Sequence, residues 1–293
     1  MRFLVILLLG LCTLGSCKQK KTVYEVPAGR GIEKAEKAGI KLAVQSYSFK
    51  NISLIEAIEQ TADLGLKYIE VYPGHAVGGV WGDKPFSDDL PDEVIDNVKE
   101  WAKRQGVQIV GYGVFKTTER ADWEKLFAFA KKLNLSYITC EPEEDHLDLI
   151  EELSEKSNIK VSIHNSIESP AYSDPDMLKE KIANRSSQIG ICGDLGNWKR
   201  SGYHVIEVLE NTNNRLISVH LKDLCPSEFD DNILFDCLLN IGVIDIDEAI
   251  LTLKNNDFKG YLAIEYITGE TNPFTDLSQS VSYYNFITDR VFD

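Results

Sequence analysis

Only 5 of the 293 residues are histidine, and the six cysteines include no CxxC pair. Zinc-thiolate centres need closely spaced paired ligands, so none is expected, nor is a dense disulfide framework. A cationic surplus is missing too. With 31 Lys and Arg against 46 Asp and Glu, the formal charge is −15, which repels a phosphate backbone and argues against nucleic acid as a partner. After the first long strand-like run stands Gln45-Ser46-Tyr47-Ser48-Phe49 rather than a glycine-rich phosphate loop, which removes the main signature of a dinucleotide-binding open sheet. No apolar run is long enough to cross a bilayer.

What is present begins with an apolar run from Phe3 to Leu11, then Thr13-Leu14-Gly15-Ser16-Cys17, followed at once by Lys18-Gln19-Lys20-Lys21. This has the form of a secretory signal, and its Leu-Gly-Ser-Cys ending resembles the bacterial lipobox, with a plain signal peptide as the alternative. The resemblance implies an exported lipoprotein of the periplasm or cell envelope, touching the membrane only through a lipid on Cys17. Residues 1–17 are then the signal, 18–39 a linker without apolar periodicity, and 40–293 the folded domain. Of the other cysteines, Cys140 and Cys192 each end an apolar run, as small buried hydrophobes do.

From Lys41 onward one unit recurs: a short run rich in Val, Ile and Tyr, a polar tail, then an amphipathic stretch. The runs Leu42-Tyr47, Tyr68-Tyr72, Gln108-Tyr112, Tyr137-Glu141, Lys160-His164, Ile189-Gly193, Leu216-Leu221 and Tyr261-Tyr266 predict strands. Between them the pattern predicts helices, as at Ser53–Leu64, where Leu54, Ala57, Ile58 and Ala62 share a face and Ser53 can cap. Gly65, Gly106, Asn134 and Asn158 are stop signals. Repeated strand and helix imply parallel strands, and the count and length match a single α/β (β/α)₈ TIM barrel better than a doubly wound sheet.

Active sites of such barrels lie at the carboxyl ends of the strands. The early ends offer Tyr47, Glu70, His75, Tyr112 and Lys116, read as substrate-binding residues. The later ends offer Glu141, His164, Asp194, His220, Lys222 and Glu265. An ionised group closing a run such as Leu262-Ala263-Ile264-Glu265 needs a partner to offset its desolvation, and one divalent cation can serve several carboxylates. Glu141, His164, Asp194, His220 and Glu265 are the candidate ligands. Their mixed oxygen and nitrogen donors suit Mn²⁺, Zn²⁺, Co²⁺ or Fe²⁺ better than Ca²⁺. Singly, each has a plainer reading: Glu265 a salt bridge to lysine, Asp194 a turn cap before Gly196, His220 a core histidine.

Leu64-Gly65-Leu66-Lys67-Tyr68-Ile69-Glu70-Val71, Ile163-His164-Asn165, Gly193-Asp194-Leu195-Gly196-Asn197-Trp198, Val219-His220-Leu221-Lys222-Asp223 and Ala263-Ile264-Glu265-Tyr266 together resemble the xylose isomerase-like TIM barrels, from about Lys41 to the C-terminus. That group includes sugar phosphate isomerases and epimerases, ketose 3-epimerases, inosose dehydratases and type IV endonucleases. Its members typically hold a divalent metal through Glu, Asp, His and Glu from the fifth to eighth strands. Asp194, His220 and Glu265 match the last three, while His164 stands in place of the first. A His-Asn-His branch is closer, though Ser166 replaces its second histidine and Asn197 the histidine of an Asp-x-Gly-His turn. Glu141 is a candidate replacement carboxylate.

The resemblance implies a metal-dependent isomerase or epimerase acting on a carbohydrate through an enediolate. Glu265, Glu141 and His164 are candidate bases and Lys222 the candidate acid. A lyase or dehydratase eliminating from a keto-glycoside or keto-polyol is the alternative, as is a non-catalytic sugar-binding lipoprotein. DNA-repair chemistry is disfavoured by the scarcity of histidine and the acidic charge.

Overall fold

The computed structural model describes residues 27–168 and 170–293; the apolar leader and Cys17 lie outside the described residues. Eight parallel strands close into a barrel: β1 (Ile40–Gln45), β2 (Tyr68–Val71), β3 (Gln108–Phe115), β4 (Tyr137–Cys140), β5 (Lys160–His164), β6 (Ile189–Asp194), β7 (Leu216–Leu221) and, closing against β1, β10 (Gly260–Ile264). Two further strands, β8 (Asp223–Pro226) and β9 (Leu234–Cys237), form an antiparallel hairpin beside the mouth. Around the barrel run α1 (Arg30–Lys37), α2 (Leu54–Asp63), α3 (Asp92–Arg104), α4 (Arg120–Leu133), α5 (Leu147–Ser157), α6 (Pro170–Ser173), α7 (Pro175–Ile182), α8 (Leu195–Arg200), α9 (Val205–Thr212), α10 (Ile246–Asn255) and α11 (Phe274–Val291). The expected (β/α)₈ barrel is the fold.

Local chemistry accounts for many of the boundaries. Ser53 and Glu56 form a reciprocal capping box at the start of α2. Asn134 and Asn158 close α4 and α5 in the left-handed conformation, which asparagine adopts more readily than most residues. Strands such as β6 are buried along their whole length, as a sheet walled by helices requires.

Three features depart from the sequence reading. Residues 30–37, inside the stretch read as linker, form α1, which packs on α11 with several polar contacts. Gly31 N–H donates to Asn285 Oδ1 at 2.9 Å, and Arg30 Nε to Asp289 Oδ1 at 2.6 Å. A Cβ on Gly31 would lie 1.9 Å from the Asn285 carbonyl, so only glycine permits this approach. The β8–β9 hairpin was not foreseen, and neither was the Cys225–Cys237 disulfide that links its two strands, with its Cα atoms 5.7 Å apart. Finally, β3 runs on to Phe115, past the expected end at Tyr112.

Candidate active site and metal centre

The strand ends of the second half of the barrel deliver their side chains to one point. His164 Nε2, Asp194 Oδ2 and His220 Nδ1 face one another; the three residues offer ligand atoms within 4.8 Å of each other, and all three are buried. Each is aimed by a neighbour. Asp194 Oδ1 accepts from the N–H of Asn197 at 2.7 Å, capping α8, and its backbone N–H donates to Asn165 Oδ1 at 2.6 Å. That leaves Oδ2 for the centre. The turn-cap reading of Asp194 is therefore realised as well, by its other oxygen. Asn197 also donates through Nδ2 to the Asn165 carbonyl at 3.1 Å, so it ties the loops after β5 and β6 together.

Both imidazoles are held from behind by carboxylates. His164 Nδ1 lies 2.9 Å from Glu141 Oε1, whose other oxygen binds Lys116 at 2.8 Å. His220 Nε2 lies 3.2 Å from Glu70 Oε2, which also accepts from the Tyr137 hydroxyl at 2.8 Å. A carboxylate on the far nitrogen fixes tautomer and ring orientation and raises ligand basicity, an arrangement that recurs behind metal-binding histidines. Of the five candidate ligands, Glu141 is thus placed behind His164, while Glu265 lies with Asp194 and His220. Glu265 Oε2 is 3.3 Å from His220 Nδ1 and 3.0 Å from Lys222 Nζ, and Lys222 Nζ is 3.2 Å from Asp194 Oδ2.

The donor set fits a divalent cation. His220 Nδ1 is buried and makes no hydrogen bond, although two carboxylates lie close to it. Two imidazole nitrogens with one or two carboxylate oxygens suit a transition metal. Without a metal, protons do part of that work. Burial lowers the His164 pKa, but hydrogen bonds to Asp194 and Glu141 override it and hold the group up to about 9. Burial opposes ionisation of Asp194, and Lys222 with the two histidines pulls its pKa well below the usual range. Burial likewise works against Glu265, yet Lys222 and His220 bring it down to about 2. Lys222 is desolvated and still stays protonated, because Asp194 and Glu265 flank it.

A cavity of about 460 Å³ opens above the centre. Tyr47 and Lys116 line it, together with Tyr72, Glu168, Asn197 and Arg200. Glu70 is not at its surface but lies beneath it, behind His220. Two expected substrate contacts point elsewhere. Tyr112 donates to the Phe86 carbonyl at 2.9 Å and packs edge-on to Phe129, because β3 continues beyond it and its side chain falls on the helix side. His75 is fully buried between Ser46 Oγ at 3.2 Å and the Ile52 carbonyl at 2.9 Å.

The burial of His75 has an energetic consequence. Desolvation pushes its pKa down to about 4, against about 6.5 in an unfolded chain. A depressed histidine contributes stability that is present above the unfolded value and lost as pH falls through the folded one. Between pH 7 and pH 4 this residue alone is expected to remove about 3 kcal/mol. In urea titrations at the two pH values, His75→Gln should lose less stability than the parent by that amount; parallel losses would refute the assignment.

Sequence reasoning missed Tyr137, Arg200 and Asp236. Tyr137 sits at the start of a strand, far from the expected mouth, and reaches upward through the barrel; a Cβ on Gly111 would lie 2.5 Å from its Cζ, so glycine there makes room for the ring. Arg200 is bound by Asp236 of the hairpin, whose Oδ2 accepts from the Ile267 N–H at 2.9 Å. Tyr137→Phe keeps the volume and removes the hydrogen bond to Glu70. We expect a stability loss of about 2 kcal/mol and a metal affinity about tenfold weaker, read by denaturation and by calorimetric titration with Zn²⁺. Unchanged affinity would reduce the hydroxyl to a packing contact.

Known proteins share this architecture. A crystal structure of a protein from Parabacteroides distasonis ATCC 8503 superposes with a TM-score of 0.69 at 28% identity, covering 84% of this chain and 98% of that one. A xylose isomerase-like TIM barrel protein from Mycobacterium smegmatis, solved in complex with magnesium, superposes at 0.68 with 13% identity over 86% of this chain and 98% of its own. Among curated proteins, 3-oxo-isoapionate decarboxylase of Pectobacterium atrosepticum is 32% identical over 85 residues, 28% of this chain and only 31% of the relative's length. Residues 58–285 match the profile of one family over most of the barrel, and the chain belongs to the xylose isomerase-like TIM barrels.

Proposed function

We propose that the protein is a metal-dependent isomerase or epimerase of a non-phosphorylated carbohydrate. The observation that carries this reading is the convergence of His164, Asp194 and His220, each histidine backed by a buried carboxylate, on a point that Glu265 and Lys222 adjoin. His164, Asp194, His220 and Glu265 would hold the metal, which when bound supplies Lewis acidity toward a carbonyl and its neighbouring hydroxyl. Glu265, kept ionised, accepts the proton from the carbon beside the carbonyl. Lys222, kept protonated, donates to the oxygen that gains charge. Glu141 and Lys116 neutralise one another at the rim and orient His164.

The cavity's cations are already engaged among the described residues: Lys116 by Glu141, Arg200 by Asp236, Lys222 by Asp194 and Glu265, and the metal-free His164 by Glu141 and Asp194. A phosphate would find no unpaired cation there, whereas a neutral sugar finds hydrogen-bonding groups in Tyr47, Tyr72, Ser166 and Asn197. The partial likeness to a decarboxylase favours a second reading, a lyase working through the same carbanion chemistry. Anchoring through Cys17 is part of the proposal, and the Cys225–Cys237 disulfide suits an oxidising compartment.

The test is elemental analysis of the purified protein, then incubation with a ketohexose panel in deuterated solvent. Stoichiometric metal and deuterium gain without release of a fragment support isomerase chemistry. Release of a fragment moves the assignment to the lyase, and absence of both metal and exchange leaves a sugar-binding protein. Metabolic labelling with a radioactive fatty acid, lost in Cys17→Ala, tests the anchor.

A further inference from the structure

At the opposite end of the barrel, where the strands begin, one of the cavities, of about 370 Å³, is bordered by three lysines. Lys41 at the start of β1, Lys160 at the start of β5 and Lys259 just before β10 line it, with Ser136, Tyr137 and Tyr261. No lining residue is acidic, in a chain with 46 acidic residues.

Helix C-termini also converge on this floor, and their dipoles favour cations there. That demand is answered by bases in the last helical turns: Lys103 and Arg104 of α3, Lys131 and Lys132 of α4, and Lys254 of α10. The three cavity lysines stand outside the helices and come in addition. Lys160 has no carboxylate partner among the described residues. Lys259 has Asp257 at 3.0 Å, both side chains being largely exposed. Lys41 Nζ lies 3.4 Å from the Tyr261 hydroxyl and 5.1 Å from the centre of that ring. The hydroxyl in turn lies 3.0 Å from Ser136 Oγ. Like charges gathered on one cavity repel, and an anion among them relieves the repulsion.

We propose that the floor cavity is a binding site for a phosphate-bearing anion, held by Lys41, Lys160 and Lys259 with the hydroxyls of Ser136 and Tyr261. Two sources carry that chemistry: the headgroup of an anionic phospholipid and a soluble phosphate. The chain supplies a route to the first. Its described part begins beside Asn285 and Asp289, near the floor end of α11, and the stretch from Cys17 to Pro27 reaches roughly 30 Å when extended. The mouth, in contrast, is ringed by acids such as Glu143, Glu144, Asp230 and Asp231, which an anionic bilayer repels. A lipid in the floor cavity would hold the mouth away from the membrane.

The test measures acylation rates of single lysines by mass spectrometry on the full-length processed protein. Four conditions are compared: buffer alone, inorganic phosphate, phosphatidylcholine vesicles, and vesicles that also contain phosphatidylglycerol. Near ten times the dissociation constant, only about a tenth of the sites stay empty, so Lys160 and Lys259 react about tenfold more slowly. Lys84, on a mouth-side loop, reacts at an unchanged rate. Protection by inorganic phosphate identifies a soluble ligand; protection only on phosphatidylglycerol identifies a lipid headgroup. In Lys160→Glu the protection of Lys259 disappears, and Lys259→Gln removes that of Lys160. Equal rates in all four conditions overturn the proposal. So does equal protection on both kinds of vesicle with none from phosphate, and so does protection that survives both substitutions. Metal content and sugar turnover do not enter these readouts, so the outcome is independent of the proposed catalytic function.

Discussion

Asp194→Asn is expected to weaken metal binding by more than about a hundredfold, a larger loss than removal of a supporting group behind a ligand. The substitution is nearly isosteric, and the asparagine carbonyl can still cap α8 by accepting from the Asn197 N–H. What changes is the inward atom. Oδ2 now faces His164 Nε2 at 3.5 Å, His220 Nδ1 at 3.8 Å and Lys222 Nζ at 3.2 Å. An amide NH₂ there puts a donor among two imidazoles and an ammonium, and it removes the charge that offsets their burial. Calorimetric titration with Mn²⁺ or Zn²⁺, alongside elemental analysis of the protein as purified, reads the effect directly. Should Asp194→Asn keep stoichiometric metal at near-parental affinity, the centre is not where these side chains converge, and the catalytic reading loses its basis.

The barrel was legible because its signals are local. Each strand is a short apolar run that must be buried on both faces, and several helices carry their own start or stop, such as the Ser53 capping box and the left-handed Asn134 and Asn158. What escaped depends on partners distant in sequence. The helix α1 has little apolar surface to announce it and is fixed by Asn285 and Asp289 from the other end of the chain. The Cys225–Cys237 bridge spans 12 residues with no motif, and only the β8–β9 pairing brings its ends together.

A similar division runs through the site. Asp194, His220 and Glu265 could be found because an ionisable group closing an apolar strand demands compensation, wherever the compensation comes from. The direction of a side chain is harder. Tyr112 looked like a strand end, but three more residues of β3 follow it, and period-two alternation then turns it to the helix layer. His75 lies beyond β2 in a loop that folds back onto Ser46 and Ile52, a turn that no local pattern announces. The role of Glu141 was ambiguous for another reason. A carboxylate beside a histidine can bind the metal or aim the histidine, and only the 2.9 Å contact with Nδ1, opposite the converging nitrogen, separates the two.

Glu265→Gln is expected to lower kcat by about a thousandfold, the middle of the range for loss of a positioned acid or base. The amide keeps the shape of the side chain and can still offer its carbonyl oxygen to Lys222 and the metal, but it cannot take a proton. Two roles for Glu265 then predict different results. If it serves only as a ligand, metal affinity falls and saturating metal restores turnover. If it is the base, the loss persists at saturating metal, and solvent deuterium no longer enters the substrate even under single-turnover conditions. The low titration of Glu265, about 2, adds a second discriminator. In the metal-free protein its carboxylate remains ionised down to strongly acid pH, so its stabilising contacts with Lys222 and His220 are present above about pH 4.5 and lost as pH falls toward 2. Glu265→Gln should therefore remove part of the acid sensitivity of folding in that window while the loss of turnover holds at every pH. Full activity of the variant at saturating metal would transfer the proton acceptor's role to another group, and Glu141, engaged by both His164 and Lys116, is poorly placed to take it.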